Sequence, residues 1–383
     1  MTHEGIDNVI PSYYYAPHVS EGSDRRRGPD EQTNHMFSDL SPEPRVRADH
    51  PLRAIRAMTD RVFADLSPRL AKRYAEIGRP SIPPEPLLRA LVLQSLYTVR
   101  SERLLMEEID DSVLYRGFVG LRMDDPIWSP TTFRKNRDRL LESDIASAFF
   151  DAVLAQARAA GLLSDEHFTG DGTLLEAWAS RKRFRRKDEG PPPPPDDPGN
   201  PTVNFHGESR RNDTPPSTTD PDARLARKGA GREATLSYAG HVVLDNRHGL
   251  VANVCATAAT GTAERDAAQV LLAASAPAGS TAGGDKHFDV AAFVATLRAL
   301  GITPHVAQKA VGTAIDGRTT RHAGSTVSQR TRQLIEQVFG WMTTVGGLRK
   351  LRHRGGALVD WIVTFTAAAY HLVRLRTLLA RAT

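Results

Sequence analysis

Cysteine is all but missing from this chain: Cys255 stands alone among 383 residues. One thiol excludes an intramolecular disulfide and a cysteine-built zinc site, and it fits a reducing cytoplasm. The opening stretch, MTHEGIDNVIPSYYYAPHVSEGSDRRRG, lacks the apolar core of a signal peptide. Long uninterrupted apolar runs are lacking too. The most apolar stretches, 87–99 and 357–374, are broken by polar or charged groups and read as buried amphipathic helices, so no membrane partner is expected. A large net charge is also absent. The balance is +5, so electrostatic function must come from local clusters, because phosphate binding follows local potential.

Those clusters are present. Segment 325–354, STVSQRTRQLIEQVFGWMTTVGGLRKLRHR, holds a single acid, Glu336, in a field of Arg330, Arg332, Arg349, Lys350, Arg352 and Arg354, with Arg321 just before it. An acid so placed is a poor solubilising charge and a good metal ligand beside a polyanion, which points to chemistry on nucleic-acid phosphates. A second basic run, 181–187, contains Arg181, Lys182 and Arg183 and leads into Pro191–Pro195.

The chain divides by pattern. Residues 1–43 are polar and aperiodic and read as a disordered tail. Residues 44–163 are helical: LRAIRAMTDRVFADL, PLLRALVLQSLYTV, SERLLMEEIDDSVLYRGFVG, SPTTFRKNRDRL with Ser129 as N-cap, and DIASAFFDAVLAQARAAGLL. From residue 164 to 356 the order is strand, loop insertion (about 181–231), strand, strand, helix, strand, helix, strand, helix, and 357–383 is a closing helix. That order predicts a mixed α/β sheet flanked by helices, preceded by an all-α module. Asp171 falls in the first strand, Asp285 at the end of the strand after the first crossover helix, and Glu336 in the helix after the last strand. Ligands gather beyond the carboxyl ends of strands in such sheets, so the three acids are candidates to converge there.

Each residue has a plainer reading. Asp171-Gly172 is a common turn pair, Asp285 could pair with Lys286 or cap the following helix (for which Asp289 is the more plausible cap), and Glu336 could pair with Arg332 at i,i+4. His241, His287 and Lys286 are site-adjacent by location, and His305 reads as a packed strand residue. SPTTFRKNRDRL resembles the second helix of a helix-turn-helix, with Arg134, Lys135, Arg137 and Arg139 toward DNA; the competing reading is a packing helix with salt bridges.

A set of collinear stretches carries a family resemblance: GRPSIPPEPLLRALVLQSLYTVRSERLLMEEI, FVGLRMDDPIWSPTTFRKNRDRLLE, LLSDEHFTGDGTLLEAWAS, TTDPDARLARKGAGREATLSYAGHVV, ATGTAERDAA, GDKHFD and IEQVFGWMTTVGGLRKLRHRG. Over roughly 44–356 the chain resembles bacterial insertion-sequence transposases of the DDE type, with a ribonuclease H-like catalytic fold, and is most similar to the insertion-sequence-five group. The resemblance implies Asp171, Asp285 and Glu336 as catalytic metal ligands and Arg332 as the arginine one turn before the glutamate. Gln329 stands where the family has a tyrosine and Thr343 where it has a lysine. Two Mg²⁺ ions, or Mn²⁺ in their place, would serve hydrolysis of a phosphodiester and then attack by the freed 3′-hydroxyl on target DNA. Arg349, Lys350, Arg352, Arg354, Arg134, Lys135, Arg137, Arg181, Lys182 and Arg183 would contact DNA. The implied partners are double-stranded terminal inverted repeats and target DNA, and holding two ends together implies a homodimer or larger synaptic complex. A ribonuclease H-like nuclease that cuts without joining, and a repurposed DNA-binding protein, remain open alternatives.

Overall fold

Prolines and serines punctuate the helical half. The computed structural model describes residues 42–71, 82–141, 144–178, 219–228 and 233–382. Nearly all of the expected tail, and the basic run with Arg181, Lys182 and Arg183, lie outside the described residues. Helix α1 (Pro51–Ala71) is followed by α2 (Pro84–Leu96), which starts at a Pro-Pro pair and buries Leu87, Leu88, Leu91 and Leu93. The stretch 102–119, expected as one helix, is two: α3 (Glu102–Asp111) and α4 (Val113–Val119). Ser112 separates them, because its backbone is extended and its hydroxyl accepts from the Tyr115 amide, as an N-cap does. Helix α5 (Pro130–Leu141) starts with Ser129 accepting from the Thr132 amide at 3.2 Å, and α6 (Ile145–Ala159) closes the helical half.

The sheet follows. Strand β1 (His167–Glu176) pairs antiparallel with β3 (Thr235–Asp245) and parallel with β5 (Thr281–Gly284), which pairs parallel with β6 (Thr303–Val306). Outside β3 lie β4 (Leu250–Ala258) and a three-residue strand, β2 (Arg224–Ala226). Sequence patterning gave no sign of β2, which is too short to show alternation. Helices α7 (Ala263–Ser275) and α8 (Ala291–Ala299) are the crossovers. After β6 come α9 (Gly317–Thr320), α10 (Ala323–Thr331), α11 (Gln333–Thr344) and α12 (Gly356–Ala382). The mixed α/β sheet flanked by helices is therefore as expected.

Ten of the eleven β3 residues are buried, because both sheet faces are covered. Val243 joins Phe168, Leu271, Leu272 and Phe293 on the α7–α8 side, while Val242 and Leu244 belong to the other side. That second core is continuous from Leu52 and Phe149 in the helical half through Leu175 and Val242 to Phe365 and Leu378 of α12. The helices thus do not close a core of their own, and 42–382 form one compact unit. Helix α12 is long and apolar enough to cross a membrane, yet most of its apolar window is buried, packed on α6 and β4.

Candidate active site

Strand β1 is covered along one edge in two pieces, and the gap between them organises the site. The parallel partner β5 reaches Thr169, opposite Gly283. Farther along, the segment after α11 takes its place: the Glu176 amide donates to the Arg349 carbonyl at 3.2 Å and the Leu351 amide to the Glu176 carbonyl at 2.8 Å. Between them β1 has an open window at 170–174. In an antiparallel pair hydrogen-bonded positions alternate. Since His167 accepts from Asn246 and Ala177 donates to Leu236, the Gly172 amide points away from β3, into this window.

Two carboxylates meet that amide. Asp171 Oδ1 accepts from the Gly172 N–H at 2.8 Å and Glu264 Oε1 from the same N–H at 3.1 Å. Asp171 lies on β1; Glu264 comes from the first turn of α7 on the opposite face of the sheet. Asp285 follows the last residue of β5, where parallel strands end, and caps a 3-10 turn by accepting from the His287 amide at 2.7 Å. Burial pushes the Asp171 carboxyl above the ordinary aspartate range, and the Asp285 charge adds to it, while Glu264, the Gly172 N–H and Arg332 pull the other way. Burial pushes Glu264 up to about 8, reinforced by its hydrogen bond to Asp171 and by the charges of Asp171 and Asp285. Three acids therefore act on one another across the window, opposed by one arginine.

Glu336 stands apart from this group. It is exposed on α11, and among the described residues no hydrogen bond or ion pair to it occurs. It lies four residues after Arg332, hence on the same side of the helix one turn along. Among the described residues no three His, Cys, Asp or Glu side chains stand in a ready metal-holding arrangement. The Asp285 charge thus acts on Asp171, while Glu336 lies one helical turn past Arg332.

The neighbouring residues sort clearly. His287 Nδ1 lies 3.3 Å from Asp285 Oδ2, and Lys286 is exposed beside it. His241 is buried with Nε2 on Thr257 Oγ1 at 2.8 Å and Nδ1 unpartnered; burial lowers its pKa to about 4. His305 is packed, with Nδ1 on Ser328 Oγ. Gln329 donates to the carbonyls of Gly284 and His305, tying the ends of β5 and β6 to α10. Thr343 donates to the Phe339 carbonyl at 2.7 Å within α11. Asp289 does not cap α8. It is buried and accepts from the Lys309 and Ala314 amides, holding the loop after β6.

The basic candidates divide between structure and surface. Arg137 is buried and paired with Glu102 and Asp138, so it cannot face DNA as expected; its place on the inward stripe of α5 with Phe133 and Leu140 dictates this. Arg134 is exposed and 3.4 Å from Glu102, and Lys135 and Arg139 are exposed. Arg352 donates to the Val99 carbonyl at 3.0 Å, and Arg354 to the Trp178 carbonyl at 3.1 Å. Lys350 lies 3.5 Å from Glu176 and 6.0 Å above the exposed Trp178 ring. Arg349 is exposed, with no side-chain partner among the described residues.

Sequence reasoning gave no role to Glu264. Its one signal was ATGTAERDAA, a matching stretch with an acid in the first turn of a helix, where an acid is ordinarily a dipole partner.

Comparison with known families gives two matches. Residues 40–139 match a model described as Transposase domain (DUF772), and residues 213–372 match one described as Transposase DDE domain. Asp285, Glu264 and Glu336 fall within the second; Asp171 falls between the two. No curated protein matched. Among solved structures, the piggyBac transposase synaptic complex with hairpin DNA aligns at 10% identity and a TM-score of 0.39, covering 86% of this chain and 76% of that one. The Mos1 transposase paired-end complex with the left transposon end aligns at 13% identity and a TM-score of 0.19, covering 79% and 82%.

Proposed function

We propose that this chain, an enzyme of the DDE transposase type, hydrolyses phosphodiester bonds at the ends of a DNA element and joins the freed 3′-hydroxyl to target DNA. The observation that carries the reading is the open window of β1, where Asp171 and Asp285 converge beyond the end of β5 with Arg332 acting on the same carboxyl. The crowded acids offer hard oxygen donors that suit a divalent cation. Asp171 and Asp285 would hold it, with Glu336 entering from the adjacent turn of α11. Two Mg²⁺ ions, replaceable by Mn²⁺, supply Lewis-acid activation of the nucleophile and leaving oxygen when bound.

The chain's own residues do the rest. Arg332 takes charge on the reacting phosphate, and pairing of β1 with β3 fixes the Asp171 backbone. Along β1, Glu176 lies five residues past Asp171, about 17 Å at strand rise, so Arg349 and Lys350 meet a bound strand about five nucleotides from the site. Exposed Arg134, Lys135 and Arg354 extend the phosphate contacts, and the helical half recognises the terminal repeats. The strand order, an antiparallel trio continued by two parallel strands, supports a ribonuclease H-like assignment. The collinear motifs support the insertion-sequence-five group. Two ends are held in a homodimer or larger assembly.

One observation favours a second reading, an end-binding protein that does not cut: among the described residues no three His, Cys, Asp or Glu side chains stand in a metal-holding arrangement. The test uses duplexes of the inverted repeats flanking the gene, with Mg²⁺ or Mn²⁺. Wild type is expected to cut them, while Asp171→Ala and Asp285→Ala bind without cutting. Full cutting by either variant would sink the site assignment. Pre-cleaved ends offered with target DNA separate joining from cutting.

A further inference from the structure

Glu264 sits where an acid has an ordinary explanation, the first turn of α7, yet its side chain does not serve that helix end. Its carboxyl reaches across to the β1 window, accepts from the Gly172 amide at 3.1 Å and shares that donor with Asp171 Oδ1 at 2.8 Å. The approach depends on residue 172 having no side chain. A Cβ there would lie 3.2 Å from Glu264 Cγ and 3.1 Å from Nδ1 of the buried His241. A dipole partner would remain at the solvent-facing helix end and need no glycine on a neighbouring strand. Two carboxylate oxygens converging on one N–H repel unless a proton lies between them.

We propose that Glu264 is a positioning residue for Asp171: it holds the Asp171 carboxylate in the β1 window by a carboxyl–carboxylate hydrogen bond anchored on the Gly172 amide. The proposal rests on the reading of Asp171 as a metal-holding residue. Glutamine at 264 reproduces the hold, since its amide donates to Asp171 and its carbonyl accepts from Gly172. A residue that itself bound the cation would not tolerate that change.

The experiment measures Mn²⁺ affinity by electron paramagnetic resonance and cleavage of end duplexes as a function of Mn²⁺, on the full chain. Glu264→Ala is expected to lose about 10–100-fold in Mn²⁺ affinity and to need correspondingly more Mn²⁺ for half-maximal cleavage, the usual cost of removing a group that orients a metal ligand. Glu264→Gln is expected to stay near wild type in both. Gly172→Ala keeps the acid but crowds it, and should weaken Mn²⁺ binding while melting as a folded protein; it carries the test if Glu264→Ala does not fold. Wild-type affinity in Glu264→Ala or in Gly172→Ala overturns the proposal. A Gln variant as defective as the Ala variant also overturns it, in favour of direct ligation. Asp171→Ala runs alongside: cleavage surviving there refutes the underlying site reading, whatever Glu264 does.

Discussion

Charge is arranged on opposite terms at the two ends of this molecule. Around α3 and α5, buried guanidiniums face carboxylates: Arg137 meets Glu102 and Asp138, and Arg116 meets Asp110 along with the Arg122 and Asp125 carbonyls. At the β1 window, carboxylates face carboxylates, and the Arg332 charge acts on Asp171. A buried charge with its partner is part of the packing. Half-buried like charges without one are a destabilised arrangement that persists when something outside the chain completes it. Pairing, more than position in the sequence, separates the structural charges of this chain from the functional ones.

The sharpest way to break that contrast is to remove an acid at each end. Asp285→Ala and Asp171→Ala should lower end cleavage at least about a thousandfold, about 4 kcal/mol of barrier, with DNA binding kept. Neither should melt below wild type, because each removes a charge from a like-charged cluster. A clear drop in melting temperature for either would show that the window is structural. Glu102→Ala should do the reverse. It leaves Arg137 in the helical core with Asp138 as its remaining carboxylate and should cost about 3 kcal/mol of unfolding free energy by denaturant titration. A stability loss under about 1 kcal/mol would mean that Arg137 finds solvent or DNA instead.

A smaller effect separates paired from unpaired arginines at the surface. Arg349→Ala should reduce the slope of log affinity for end DNA against log salt by about 1, because it removes one phosphate contact. Arg47→Ala, whose exposed partner Asp49 lies beside it, should leave the slope unchanged. Equal slopes for both variants would remove the segment after α11 from the DNA path.

Much of this was legible in the chain. The sheet and its crossovers were readable because β-branched runs alternate with helical periods and the 246–249 turn is strongly marked. The positions of Asp171 within the first strand and of Asp285 just past a strand end were readable from such patterns. Arg137 was misread because a basic run on an amphipathic helix does not reveal which member falls on the buried stripe; only the packing of Phe133 and Leu140 decides that. Glu264 was not legible because its neighbour across space, Gly172, is 92 residues away and contributes a backbone amide, which leaves no mark in sequence. Glu336 was found by its isolation among basic residues, but isolation in sequence does not place a side chain against two others.

The finest test of the contrast is pH. Glu264 in the folded chain titrates at about 8, far above the ordinary glutamate, first through burial and then through Asp171 and Asp285. A raised acid binds more protons folded than unfolded, so its contribution to stability is complete below the ordinary glutamate pKa and is lost as pH rises through about 8. Asp171 is shifted in the same direction and adds the same sign. Metal-free protein should therefore melt at progressively lower temperature from about pH 6 to about pH 9, more steeply than Glu264→Gln over the same range, since the amide cannot ionise. Parallel wild-type and Glu264→Gln curves without metal would mean that the acids at the window are too well solvated to burden one another, and the distinction between the two ends would collapse.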